Sequence, residues 1–414
     1  MAANLSLSEL LGLPVFDPDG RVGRVREVAL VPQEDASRIA ALVVRTSDGD
    51  RLLAGNRLQS INGGVRTGEA LASWVAFSSS QGMLLLERDL LDQQIIDING
   101  RKVVRVNDID LMVEVNEHNE VTLRIANVDA GARGAVRRLL KGMVPRATLS
   151  AMMSKIPPRY IPWDYVNLIE TDPARRVHLK ISSDKIEKLH PADIADIIED
   201  LAPAERDAVF GALDEEVAAH ALEEIDPRLQ VSLLNSMEDG RAADIVEEMD
   251  PDAAADLLND LSPERSEAIL EEMEPDERHD VEELLDFEED TAAGRMTTDY
   301  MSLPPTAHVR DAIEMLRNFE GGLESVSTVF LVGEGEILVG AVPLVKLVLS
   351  PLDTPLSELT SEPLIRCRPG ADENEVSELF DKYNLLTLPV VDEDGVLTGV
   401  ITADDVISIL RGRL

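Results

Sequence analysis

Between residues 184 and 290 the chain carries 37 Asp and Glu against 7 Lys and Arg. Carboxylates at that density repel one another, and most of them are expected to be solvated helix surface. Some could instead converge on a hard cation, which takes oxygen ligands. Asp252 and Asp256 are the first candidates. They lie four positions apart on one predicted helix and so share a face. Other chemistries find no footing. The six histidines (His118, His178, His190, His220, His279 and His308) are scattered, and none stands beside a second His or a Cys at zinc spacing. There is no glycine-rich phosphate loop and no nucleophile elbow. The chain reads as a non-enzyme, with no catalytic residues.

The acids sit in a repeat. Anchors recur every twelve residues at Leu189, Leu201, Leu213, Ile225, Met237, Met249, Leu261, Met273 and Leu285. Two positions after an anchor comes Pro191, Pro203, Pro227, Pro251, Pro263 or Pro275, and the residue between is often a capping type, as in Asp214, Asp226, Asp250 and Ser262. Proline at the first helical position costs only an N–H that had no partner, so each cap and proline starts a helix. The next proline stops it before three turns are complete. About eight short helices follow from this, each too short to stand alone. They must stack as a superhelical solenoid.

The whole chain has 414 residues and a net charge of −40. That length predicts two to four domains. The charge makes nucleic acid a poor partner and cations or a basic protein surface better ones. Aromatics are 3% of the residues, so the cores are built from Leu, Val, Ile and Ala. Cys367 is the single cysteine, which fits a reducing, cytoplasmic compartment. The N-terminus has no signal-peptide pattern, and no apolar run approaches the roughly 18 residues of a membrane span. No membrane insertion is expected.

Residues 1–182 read mostly as strands. Pro14 to Val25 is a hairpin turned at Asp19-Gly20, Ile39 to Thr46 is a strand, and Gln94 to Val106 repeats the first pattern. Asp17, Asp19 and Gly20 suggest a calcium loop only superficially; a turn accounts for them. Two β-barrel-like units are expected. The run Val-Phe-Asp-Pro-Asp-Gly-Arg-Val-Gly-Arg-Val, with its counterpart Ile-Ile-Asp-Ile-Asn-Gly-Arg, resembles the PRC-barrel family, which implies an interaction module. Residues 131–188 turn basic. They read as a helix at 137–153 with strands near Trp163 to Ile169 and at 177–181, completing the β region. The alternative is a basic clamp against the acidic solenoid or a membrane surface.

A second repeat closes the chain. Leu303 to Val348 and Pro363 to Ile409 each read strand, helix, two strands, helix. In the second copy the pieces are Ile365 to Cys367, Asn374 to Tyr383, Leu388 to Val391, Val396 to Ile401 and Ala403 to Leu410. With Leu-Pro-Val-Val-Asp-Glu-Asp-Gly and Gly-Val-Ile-Thr-Ala-Asp-Asp, this pair resembles a CBS tandem. In CBS domains a Gly-x-x-Thr-x-x-Asp run binds adenine nucleotides such as ATP or AMP, which implies a site at Gly399, Thr402 and Asp405. The first copy has Pro343 and Lys346 at the Thr and Asp positions, so at most one site per chain is expected.

Residues 184–410 as a whole resemble the cytosolic half of the MgtE magnesium transporters. Met249-Asp250-Pro251-Asp252 through Asp256 matches the acidic helix, and Glu289-Asp290-Thr291-Ala292-Ala293-Gly294-Arg295-Met296-Thr297 matches the junction into the CBS pair. The resemblance implies Mg²⁺, or another divalent cation, held by Asp252, Asp256 and the backbone at Gly294 on one side and Asp405 on the other. Asn384 and Ser408 replace two further acids, which implies weaker binding. In the transporters membrane helices follow the CBS pair; here Leu414 follows the last CBS helix, so no pore is expected.

The reading is therefore a multidomain α+β protein: a PRC-like β region with a basic linker at 1–182, a superhelical domain at 183–290, and CBS units at 291–355 and 356–414. It is expected to be a magnesium-responsive homodimer, paired through the CBS units and acting on a membrane magnesium transporter. A nucleotide sensor and a ligand-independent scaffold are the alternatives.

Overall fold

The computed structural model describes residues 3–32, 35–80, 82–115, 121–132, 134, 136, 159–172, 174, 183–285, 287–288, 290–319, 326–360 and 363–412, without the side chains of 276 and 408–412. The helix expected at 137–153 and the strand expected at 177–181 lie outside these residues. Two compact units divide the chain, Met1–Val217 and Ala218–Leu414.

The first unit opens with β1 (Ala3–Ser6), α1 (Leu7–Leu10), β2 (Pro14–Asp17), β3 (Gly20–Leu30), β4 (Ile39–Thr46), β5 (Gly49–Ala54), β6 (Leu58–Ile61), β7 (Val65–Thr67) and β8 (Val75–Ala76). The counterpart runs β9 (Leu84–Leu85), α2 (Leu86–Asp89), β10 (Gln94–Asp97), β11 (Lys102–Arg105), β12 (Asp108–Val115), β13 (Val121–Asp129), β14 (Tyr160–Pro162) and β15 (Val166–Leu168). The hairpin turn is made as its residues require: Asp17 Oδ1 accepts from the amides of Asp19 and Gly20 at 2.9 and 3.0 Å, and Gly20 has φ +138°. Asp97 repeats the device on the Gly100 amide.

The two halves are not separate barrels, as the sequence repeat suggested. Each lends its leading strand to the other: β1 pairs with β12, and β9 with β3. One apolar core, running from Leu7 to Val166, serves both. The exchange extends to two buried acids. Glu27, from the first half, accepts from the amides of Glu87 and Arg88 in α2 at 2.8 and 3.1 Å. Asp108, from the second, accepts from the amide and hydroxyl of Ser8 in α1 at 3.1 and 2.6 Å. Each carboxylate satisfies N–H groups that a short helix leaves open, so neither half can bury its acid without the other.

The same unit holds the first helices of the acidic repeat, α3 (Pro191–Asp200) and α4 (Pro203–Phe210). Arg101 is paired with Asp193 at 2.9 Å, and Lys185 donates to the carbonyls of Asp164 and Val166. These contacts tie the start of the repeat to the β region.

The repeat continues through α5 (Glu215–Glu223) into the second unit, with α6 (Pro227–Ser236), α7 (Asp239–Glu247), α8 (Pro251–Asp260), α9 (Pro263–Glu272) and α10 (Pro275–Leu285). Proline occupies the first position of six of the eight, and the longest has 11 residues. Every second helix packs together, α6 on α8 on α10 and α7 on α9, with Leu233, Leu234, Ile245, Val246, Leu257, Leu258 and Ile269 buried between them. Asp226 and Ser262 cap as expected. Asp250 does not; its side chain makes no cap hydrogen bond.

Two βαββα units follow. The first is β16 (Met301–Leu303), α11 (Val309–Arg317), β17 (Thr328–Val332), β18 (Leu338–Pro343) and α12 (Leu344–Leu349); the second is α13 (Glu373–Tyr383), β19 (Thr387–Val391), β20 (Leu397–Thr402) and α14 (Ala403–Gly412). The strand expected at Ile365 to Cys367 shrinks to one bridge between Cys367 and Val390. Phe330 and Leu338 of the first unit share a core with Val391, Leu397 and Val400 of the second. The junction segment is sewn onto the second unit. Ala292 and Ala293 donate to the carbonyls of Ala371 and Pro369, and Thr297 exchanges both backbone bonds with Val400.

Candidate cation-binding junction

Three helix ends of the second unit bring acids together. Glu223 ends α5, Asp250 and Asp252 open α8, and Asp404 and Asp405 open α14. The N-terminus of a helix favours a carboxylate, which is why acids sit at the starts of α8 and α14. Convergence adds the opposite effect. Burial, then Asp405, Asp250 and Asp256 in turn, hold Asp252 well above the ordinary aspartate range. Burial pushes Asp405 up to about 6, against the two hydrogen bonds it accepts from Thr402. Burial and Asp250 lift Glu223 to about 7, and burial with Asp250 and Asp280 lifts Asp299 to about 6. Asp250 itself is raised by burial and Asp404, with His220 acting the other way. Its amide donates to Glu223 Oε1 at 2.8 Å. Like charges that must share a poorly solvated space take up protons in this way.

The residues singled out from the sequence fall in different places. Asp252 and Asp405 come into each other's field. Asp256 lies on the same helix but is paired with Arg295 at 3.1 Å. The Gly294 amide donates to Thr291 Oγ1 at 3.2 Å within the junction turn. Asn384 is exposed and ends α13 in a left-handed conformation, φ +51°. The Ser408 side chain lies outside the described residues. Glu223, Asp250, Asp299, Asp404 and Arg295 were not singled out as ligands or partners. Asp250 was legible only as a helix cap, and Asp404 only as the neighbour of Asp405. Among the described residues no three acidic, imidazole or thiolate groups stand close enough together to enclose a metal ion.

The nucleotide candidates are already engaged with the fold. Asp405 Oδ2 accepts from both the amide and the hydroxyl of Thr402 at 2.7 Å. A Cβ at Gly399 would stand 2.6 Å from Met296 Sδ and 3.0 Å from the Thr297 carbonyl. Lys346, at the corresponding place in the first copy, donates to the carbonyls of Leu359 and Thr360.

Comparison with known proteins places this architecture. Residues 189–290 match the MgtE intracellular N domain and residues 356–412 match the CBS domain. The chain thus carries an MgtE-type superhelical domain followed by a CBS region. The magnesium transporter MgtE of Enterococcus faecalis is 32% identical over 131 residues, 32% of this chain and 29% of the relative. That of Thermus thermophilus is 32% identical over 136 residues, 33% of this chain and 30% of the relative. The matching stretches thus span under a third of these curated relatives. The crystal structure of the soluble part of a magnesium transporter superposes with TM-score 0.53 at 28% identity, covering 56% of this chain and 91% of that one. The cytosolic domain of the Mg²⁺ channel MgtE in complex with ATP gives TM-score 0.52 at 29% identity over 55% of this chain and 92% of that one. Among the described residues no helix is long and apolar enough to cross a membrane.

Proposed function

We propose that this protein is a magnesium-responsive regulator in which a divalent cation links the acidic superhelix to the second CBS unit. The observation that carries the reading is the convergence of Asp250 and Asp252 with Asp404 and Asp405, all in the second unit, with Asp252 and Asp405 held above their ordinary range. Every donor there is a carboxylate oxygen, a set suited to Mg²⁺ or Ca²⁺ and not to zinc. Magnesium keeps several of its waters, so carboxylates too far apart to enclose a bare ion can still hold a hydrated one. Neutralising the repulsion favours the closed junction, and loss of the cation favours its opening. The output would pass to a membrane magnesium transporter or channel. The CBS pair would support a homodimer.

Calorimetric titration of the full chain with MgCl₂ tests this. Binding on the order of 10⁻³ M, abolished in Asp252→Asn, is the expected result; no heat at any concentration up to ten times that level would contradict it.

A second reading, adenine-nucleotide sensing, is supported by the ATP complex of the related domain and by the place of Thr402 and Asp405 where β20 ends and α14 begins. Titration with ATP and AMP separates the two. Nucleotide binding lost in Asp405→Ala but kept in Asp252→Asn would support it, and no binding of either nucleotide would exclude it.

A further inference from the structure

We propose that Arg295 is a resident cation of the same junction, a fixed charge that latches α8 to the second CBS unit without any metal. The inference deepens the reading above and rests on the junction being one that opens and closes. Arg295 pairs with Asp256 on α8 at 3.1 Å and with Glu373, the first residue of α13, at 3.4 Å. Its side chain is 29% exposed, that of Glu373 18% and that of Asp256 42%, so the bridge is only partly shielded from screening salt.

The placement of Arg295 is not left to a mobile side chain on a loose loop. On one side Ala292 and Ala293 are bonded to the 369–371 backbone. On the other, Met296 packs against Gly399 and Thr297 is laddered to Val400. The guanidinium therefore projects from a rigid edge of the second CBS unit. Its target lies one turn along α8 from Asp252, on the same helix face. A guanidinium fixed to the chain cannot be removed by a chelator. It neutralises Asp256 permanently, which leaves Asp250, Asp252, Asp404 and Asp405 as the part of the junction that answers to an added cation. The metal response becomes graded, starting from a partly closed state.

The test is a distance measurement by pulsed electron resonance on the full chain. Labels go at Asp260→Cys on α8 and Lys382→Cys on α13, both exposed positions, with native Cys367 buried. In EDTA, Arg295→Gln and Asp256→Asn should each lower the ratio of short to long distances by about threefold, as expected for a partly exposed ion pair. The double variant should add nothing, and Arg295→Lys should restore part of the effect. Unchanged distances in both single variants would overturn the latch, as would a change confined to one of them. Adding 10 mM MgCl₂, on the order of ten times the dissociation constant proposed above, then reads the cation separately. If both variants open in EDTA but magnesium does not close them, the latch stands and the magnesium reading fails.

Discussion

After burial itself, Asp405 is the largest influence holding Asp252 above the ordinary aspartate range. One carboxylate opens α8 of the superhelix and the other opens α14 of the second CBS unit. The fold thus sets a helix start from each module in the other's field. Such an arrangement persists only if protons, a cation or a fixed positive charge offset the repulsion, and each of these has a separable signature.

The proton signature comes first. Glu223 at about 7, Asp405 and Asp299 at about 6, and Asp252 and Asp250 are all raised in the folded chain. A raised carboxylate binds its proton more tightly folded than unfolded. Its contribution to stability is therefore complete below about pH 4 and is lost as pH rises through the folded value. Without divalent cations the melting temperature of the second unit should fall between pH 5 and 8. Glu223→Gln should flatten the upper part of that fall. A melting temperature that climbs over the same window would contradict the assignment.

Gly399 gives a purely structural test. The Cβ of Gly399→Ala would meet the Thr297 backbone as well as the Met296 side chain, and the backbone cannot give way cheaply. A loss of about 1–3 kcal/mol in chemical denaturation is expected. A neutral substitution would mean that the junction segment at Met296 and Thr297 is not held against β20.

Much of this architecture could be read from residue order. Proline at the first helical position reports its own location, so the short helices around Pro227, Pro251, Pro263 and Pro275 were legible, as were the two helices and the hairpin of the second CBS unit, though not the loss of its leading strand. What failed shares a cause. Asp250 carries a capping residue's chemistry yet makes no cap hydrogen bond, and the acids that share its surroundings, Glu223 and Asp404, lie 27 and 154 positions away. Arg295 is one basic residue in an acidic stretch until Asp256 and Glu373 come beside it. Glu27 and Asp108 were invisible as a pair because the exchange of β1 and β9 between the two halves is a tertiary event. Local pattern reports what a residue can do; long-range contact decides which option it takes.

The expected homodimer has a definite surface to use. On α12 Val345, Val348 and Leu349 are 64, 80 and 81% exposed, at spacings that put them on one face; Leu352 just beyond the helix is 56% exposed and Ile407 on α14 is 57% exposed. Apolar stripes of this kind are seldom left in water. Sedimentation of the wild type at micromolar concentration should give a dimer, and Val348→Asp with Leu349→Asp a monomer with unchanged helix content. A monomeric wild type would remove the dimer from the account.

The most direct test of the central claim is a magnesium titration of the full chain followed by small-angle scattering, beside Asp252→Asn. The wild type should become more compact with a midpoint on the order of 10⁻³ M. The variant, with less repulsion to neutralise, should begin compact and change little. A wild-type radius of gyration that ignores magnesium, or a variant whose curve follows the wild type's, would contradict the cation-bridged junction and leave a ligand-independent scaffold as the better description.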